Sequence, residues 1–91
     1  MDEQHLPSEM QRVPLYFFNL YNDVVTMDDE GIQLADDDAA WAHAVKEART
    51  MAADSVSKGH LTVSHRIDFV DEKRNPVGSV RFDEAVDIRP E

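Results

Sequence analysis

The stretch ADDDAAWAHAVKEARTMAADSVSKG, residues 35–59, decides how the rest of the chain is read. Trp41, Val45, Ala48, Ala52 and Val56 recur at spacings of 4, 3, 4 and 4, and Ala44 and Met51 widen the stripe. That period is one face of an α-helix. Asp36 is a natural N-cap, and Asp37 and Asp38 fall in the first turn, where the helix dipole favours negative charge. Lys58 complements the C-terminal end, and Gly59 supplies the left-handed residue that closes a helix. The predicted helix runs from Asp37 to Lys58. Many of its remaining positions are alanine, so it can lie close on a sheet.

Upstream, Leu15 to Tyr21 (LYFFNLY) reads as an aromatic strand. Asn22-Asp23 signals a turn, and Val24 to Met27 reads as the returning strand of a hairpin. Asp28 to Gly31 (DDEG) interrupts it with a bulge or turn needing positive φ, and Ile32 to Leu34 extends it. Downstream, Leu61, Val63, His65, Ile67 and Phe69 alternate with polar residues, which predicts a third strand with one core face. Asp71 to Pro76 is a charged loop. Val77 to Phe82 is the last strand, with Gly78, Val80 and Phe82 on one face. Residues 83–91 form a short tail with room for a turn. Two hairpins joined by a helix predict an α+β fold of order β-β-α-β-β: a four-stranded antiparallel sheet with one helix on one face.

Ninety-one residues with a 42% apolar share are enough for one such core and no second one. Residues 1–12 mix charge, Pro7 and Ser8 without an apolar period, so they are expected to form a flexible acidic tail before a single domain over residues 13–91. The absence of cysteine excludes disulfides and thiol chemistry and favours a reducing compartment, so a cytoplasmic protein is expected. No apolar run approaches the length of a membrane span. The polar N-terminus is the reverse of a signal peptide.

The net charge of −10 is unevenly spread. Residues 1–38 hold ten acids against one base, Arg12, a net of −9; residues 39–91 hold nine acids and eight bases, a net of −1. An acidic half disfavours phosphate backbones. Arg66, Lys73, Arg74 and Arg81 lie among Asp68, Asp71, Glu72 and Asp83, so nucleic acid is not the expected partner.

At this point the order of motifs resembles a family of small uncharacterised bacterial proteins abundant in alphaproteobacteria, a domain of unknown function. Its members run Y-F-x…D-x-x-G-x-x-L-P-D-x-x-x-A, then a helix, then two strands ending in F-x-x-A. Tyr16, Phe17, Asp28, Gly31, Leu34, Asp36, Ala40, Phe82 and Ala85 fill those places, and Ala35 replaces the usual proline. The resemblance spans roughly residues 13–89 and implies no activity and no catalytic residues. The spacing is more loosely similar to the HicB-type antitoxin domain, which implies an alternative role in neutralising a small basic toxin.

Candidate chemistry is sparse. An EF-hand register centred on Gly31 places Thr26 at position 1, Asp28 at 3, Glu30 at 5 and Asp37 at 12; the first carboxylate is missing and the last acid is short. His43 and Glu47 share a helix face, but two ligands do not make a metal site. His43 is expected to face solvent and His60 to sit in a loop, whereas His65 falls on the apolar face of the third strand. Ser64 and His65 point to opposite faces of that strand and cannot act as nucleophile and base. Three glycines in all do not make a phosphate loop, so no metal, cofactor or catalytic group is expected.

The aromatic strand carries the functional expectation. Tyr16, Phe18 and Leu20 form one face, and Leu15, Phe17, Asn19 and Tyr21 the other. The first set, which has no amide to bury, is assigned to the helix side. Leu15, Phe17, Asn19 and Tyr21 are then expected on an open sheet face that serves self-association or another protein. The chain reads as a non-enzymatic interaction or regulatory module.

Overall fold

The structure, a computed structural model, describes residues 13–87 and 89. The expected tail of residues 1–12 lies outside them. Strands β1 (Leu15–Tyr21), β2 (Val25–Thr26) and β3 (Ile32–Gln33) precede helix α1 (Asp37–Ser57). Strands β4 (Arg66–Asp71) and β5 (Pro76–Arg81) and the short helix α2 (Phe82–Ala85) follow. All pairings are antiparallel, in the order β2-β1-β4-β5, with β3 also on β1. The fold is therefore α+β with one main helix after the first strands.

β2 and β3 share one edge of β1. Thr26 and Val25 face Leu20 and Tyr21, while Ile32 and Gln33 face Tyr16 and Leu15, so together they occupy a single strand position broken in the middle. The interruption is the DDEG segment expected from the sequence. Gly31 takes φ +76°, and a Cβ there would stand 3.0 Å from both the Leu15 side chain and the Tyr16 carbonyl. Glycine answers both demands.

α1 begins and ends as its sequence dictates. Asp36 Oδ1 accepts a hydrogen bond from the Ala39 N–H at 2.9 Å. At the other end, Gly59 at φ +93° lets its N–H reach Val56 O and the His60 N–H reach Ser55 O, a Schellman closure. The packing stripe matches the expected one at Ala44, Ala48 and Ala52 and departs from it at Trp41 and Val56. Ala40, Ala44, Ala48 and Ala52 are the buried line, whereas Trp41 remains 41% exposed and Val56 58%. Alanines four apart form the shallowest ridge of the helix, so that ridge approaches the sheet most closely and larger neighbours splay to its flanks. Trp41 still meets the core. Its ring stands edge-on to Phe69 at 5.0 Å and covers Gly78, where a Cβ would fall on the indole.

The third strand begins later than its alternation predicts. Residues 62–65 form a turn closed by the His65 N–H on Thr62 O. The His65 and Val63 carbonyls accept from the N–H groups of Phe82 and Asp83. β1 ends at Tyr21, opposite Arg66, so residues before Arg66 have no strand to join. Val63, expected in the core, is exposed as a result. The last strand ends at Arg81, and Phe82 opens α2 with its ring buried.

Tyr16, Phe18, Ile67, Phe69, Val80 and Phe82 meet the alanine ridge in one core, with Leu20 packed at its margin. The face assignment of β1 therefore holds. α1 lies over β4 and β5. Phe18 is covered instead by a flank residue of the helix, His43, whose ring lies 4.6 Å from the phenyl. His43 thus packs inward rather than facing solvent; its Nε2 is buried and sits 3.5 Å from Glu47.

Candidate functional site

The sheet face opposite α1 is built from rows of side chains that the strand register sets side by side. Val25, Tyr21, Arg66 and Arg81 form the first, Asn19, Asp68 and Ser79 the second, and Phe17, Val70 and Pro76 the third. No helix of the described residues packs on this side.

Two like charges face each other in the first row, which on its own would destabilise the pair. Each guanidinium has its own carboxylate. Arg66 Nε donates to Asp68 Oδ1 at 2.9 Å, and Arg81 binds both oxygens of Asp83 through Nε and Nη2 at 3.0 and 2.9 Å. The Arg81 fork holds the Asp83 carboxyl below the usual carboxylate range. Ser79 Oγ donates to Asp68 Oδ1 at 2.7 Å, which fixes the acceptor of the middle row. The Arg66 guanidinium also lies over the Tyr21 ring, 4.2 Å from its centroid.

A second arginine covers a second aromatic. Arg74 places its guanidinium 3.7 Å from the Phe17 centroid. To do so it adopts φ +69°, the left-handed region, which costs a side-chain-bearing residue about 1–2 kcal/mol. The hairpin holds it there: Asp71 Oδ1 accepts from the N–H groups of Lys73 and Asn75, and Asp71 O accepts from the Arg74 N–H.

Asp28 completes the face at its edge. The break between β2 and β3 would leave β1 backbone donors without a strand partner. The Asp28 carboxylate stands in for the missing acceptor, taking the Phe18 N–H of β1 and the local N–H groups of Glu30 and Gly31, each at 3.1 Å. Its own N–H donates to Asn19 Oδ1 at 2.9 Å. Burial pushes the Asp28 carboxyl up, but these three donors and the Arg74 guanidinium outweigh it and hold the carboxyl below its ordinary range. A carboxylate ringed by backbone donors is a strut, its oxygens taken up by those N–H groups. This is the physical role of the acid that an EF-hand register would make a ligand. Among the described residues no group of three or more His, Asp or Glu is placed to hold a metal.

The four expected interface residues lie on this face, at different depths. Phe17 is 8% exposed beneath Arg74, and Asn19 is 4% exposed beside Asp28. Leu15 and Tyr21 are half-buried. The face is thus not the apolar patch that strand alternation alone implies. Long polar side chains from the hairpin and from β4 cover part of it. Between them lies a hollow of about 390 Å³, lined by Asn19, Tyr21, Asp68, Val70, Val77 and Ser79 among others. Sequence reasoning missed Arg66 and Arg74 as members of the face. The alternation signal places Arg66 there, but nothing in the sequence announces that an arginine takes positive φ at position 74.

At one end of the molecule Tyr16 donates its phenol O–H to Asp37 Oδ1 at 2.7 Å, tying β1 to the first turn of α1. Burial, followed by that hydrogen bond and the charges of Asp37, Asp36 and Asp71, pushes the phenol up to about 12.

The model of one protein family matches residues 15–83, and the chain belongs to that family, described as a domain of unknown function (DUF6894). No curated protein and no solved structure matches the chain. No helix among the described residues is long and apolar enough to cross a membrane.

Proposed function

We propose that this member of a family without an assigned activity is a non-enzymatic module that binds another protein on the sheet face opposite α1. The observation that carries this reading is the row of Tyr21, Arg66 and Arg81 beside the hollow floored by Asn19, Asp68 and Ser79. Tyrosine and arginine are enriched at protein interfaces, and an aromatic ring with a guanidinium already stacked on it loses little side-chain freedom when a partner docks. Leu15 and Tyr21 are the half-buried apolar contributors from the strand, and Phe17 and Asn19 support them from beneath. A chain without cysteine suits a reducing compartment, and we place the module in the cytoplasm. The carboxylates paired to Arg66 and Arg81, with a net charge of −10, favour a protein over a phosphate backbone as the partner.

A second reading takes a small basic protein as partner, in the manner of an antitoxin. It is favoured by the gathering of Asp36, Asp37 and Asp71 around the Tyr16 phenol.

Affinity capture from the native cell separates the two. A Tyr21→Ala, Arg66→Ala double variant should lose the partner, while Lys46→Ala, Thr50→Ala on the outer face of α1 should keep it. Loss of the partner on neutralising Asp36 and Asp38 instead, with the Tyr21 and Arg66 variant still binding, would move the site to the acidic end.

A further inference from the structure

Asn19 is the one buried polar residue among the described residues, 4% exposed, and the donor end of its side chain is unused. The Asp28 N–H can only donate, so the atom 2.9 Å from it is Oδ1 and the amide orientation is fixed. Nδ2 is thereby turned away from Asp28, and it donates to no described residue. Buried amide hydrogens without an acceptor are costly. Nδ2 is not walled in, however. Among the described residues the only unpartnered side-chain polar atom sealed from solvent is His43 Nε2. Asn19 lines the hollow of about 390 Å³ opposite α1, and the unused donor opens into it.

Across the same row stands the complementary atom. Asn19 lies opposite Asp68 on β4, and Asp68 opposite Ser79 on β5. Asp68 is turned toward β5: its Oδ1 accepts from Ser79 Oγ at 2.7 Å and from Arg66 Nε at 2.9 Å. Its Oδ2 accepts from no described residue. Directly opposed residues stand about 4.5–5.5 Å apart at Cβ. One free donor and one free acceptor thus share the hollow, close enough for a single small group to meet both.

We infer that the hollow takes a carboxamide side chain, glutamine or asparagine, of the docking partner. Its carbonyl oxygen accepts from Asn19 Nδ2, and its NH2 donates to Asp68 Oδ2. Charge selects the neutral group. A carboxylate would meet the Asp68 oxygen and a chain of net charge −10. An ammonium or guanidinium would meet the Asn19 donor and the Arg66 guanidinium that is bound to Asp68. A carboxamide carries acceptor and donor side by side in one plane, so it satisfies both free atoms without bringing a charge. The apolar walls at Val70 and Val77 accept the methylenes that precede it. A buried site built for such a pair rejects analogues that leave one of its polar groups unpaired.

This inference rests on the docking face proposed above, and the two fail separately: the face is read as partner capture, the hollow as binding of a small probe to the full chain alone. The test is an NMR titration of the isotope-labelled full chain with propionamide, and in parallel with propionate and propylammonium, from millimolar to molar concentration. Propionamide should shift the Asn19 side-chain NH2 pair and the backbone amides of Asp68 and Ser79, and the shifts should saturate. Propionate and propylammonium should bind at least about tenfold more weakly. Asp68→Asn replaces the free acceptor by a donor. It should keep the circular dichroism spectrum and bring propionate level with propionamide or above it. Saturation of the wild type by propionate or propylammonium in preference to propionamide would assign an acidic or a basic group to the hollow and overturn the inference. So would an amide preference that survives in Asp68→Asn. No saturable shift from any of the three probes would leave the hollow to water, which also overturns it. In that case partner loss in the Tyr21→Ala, Arg66→Ala variant would still uphold the face.

Discussion

At the scale of single residues, Asp28 does the most for its size. One carboxylate replaces the strand partner that the DDEG break removes, and one amide, Asn19, receives the Asp28 N–H in return. Asp28→Ala should therefore cost about 2 kcal/mol, a figure already reduced for the partial exposure of the site to water. Asp28→Asn, which keeps one acceptor, should cost less. The sign with pH follows from the lowered carboxyl. Its contribution is fully present above the ordinary aspartate value of about 3.9 and is lost as pH falls through the lowered folded value. Urea denaturation of wild type and Asp28→Ala at neutral pH and in acid checks both. The gap between the two should close in acid, and a gap constant with pH would mean that the charge of Asp28 does not hold the break. The sequence shows that an acid stands before Gly31, but not which backbone donors it meets. Two of them, the Glu30 and Gly31 N–H groups, are local, but the Phe18 N–H comes from β1, ten positions away, and only the pairing brings it near.

At the scale of elements, what was legible followed from local rules and what was not followed from contacts. The cap at Asp36, the Gly59 closure and the two faces of β1 each depend on a few neighbouring residues, and each was readable. The late start of β4 was not, because alternation continues through Val63 and His65 even where β1 offers no partner. The alanine ridge of α1 was legible at Ala44, Ala48 and Ala52, whereas Trp41 and Val56 were assigned to it and lie on its flanks. Hydrophobic spacing ranks Trp41 and Val56 above alanine, whereas close approach to a sheet ranks small residues first. On the far face, Leu15, Phe17, Asn19 and Tyr21 were readable from strand period, but the cover of Phe17 was not, since Arg74 arrives from the β4–β5 hairpin. The ridge also explains Gly78. Because the helix sits low, the Trp41 ring reaches β5, and only glycine leaves it room. Gly78→Val should displace the ring, shift the tryptophan emission to the red and cost about 1–3 kcal/mol. Unchanged emission and stability would mean that the ring does not lie on that strand.

At the scale of the whole molecule, one helix covers one side of the sheet, and among the described residues the other side carries side chains alone. Guanidiniums lie on rings of that other side, Arg74 on Phe17 and Arg66 on Tyr21. Such cover is thin, ordered and polar at its surface, and it leaves the hollow between the two stacks open to a partner. The most direct measurement is site-specific photo-crosslinking in the native cell, with a benzophenone amino acid placed at Tyr21 on the sheet face or at Thr50 on the outer face of α1. The account predicts partner adducts from position 21 and none from position 50. Adducts from position 50 alone, or equal adducts from both, would contradict it.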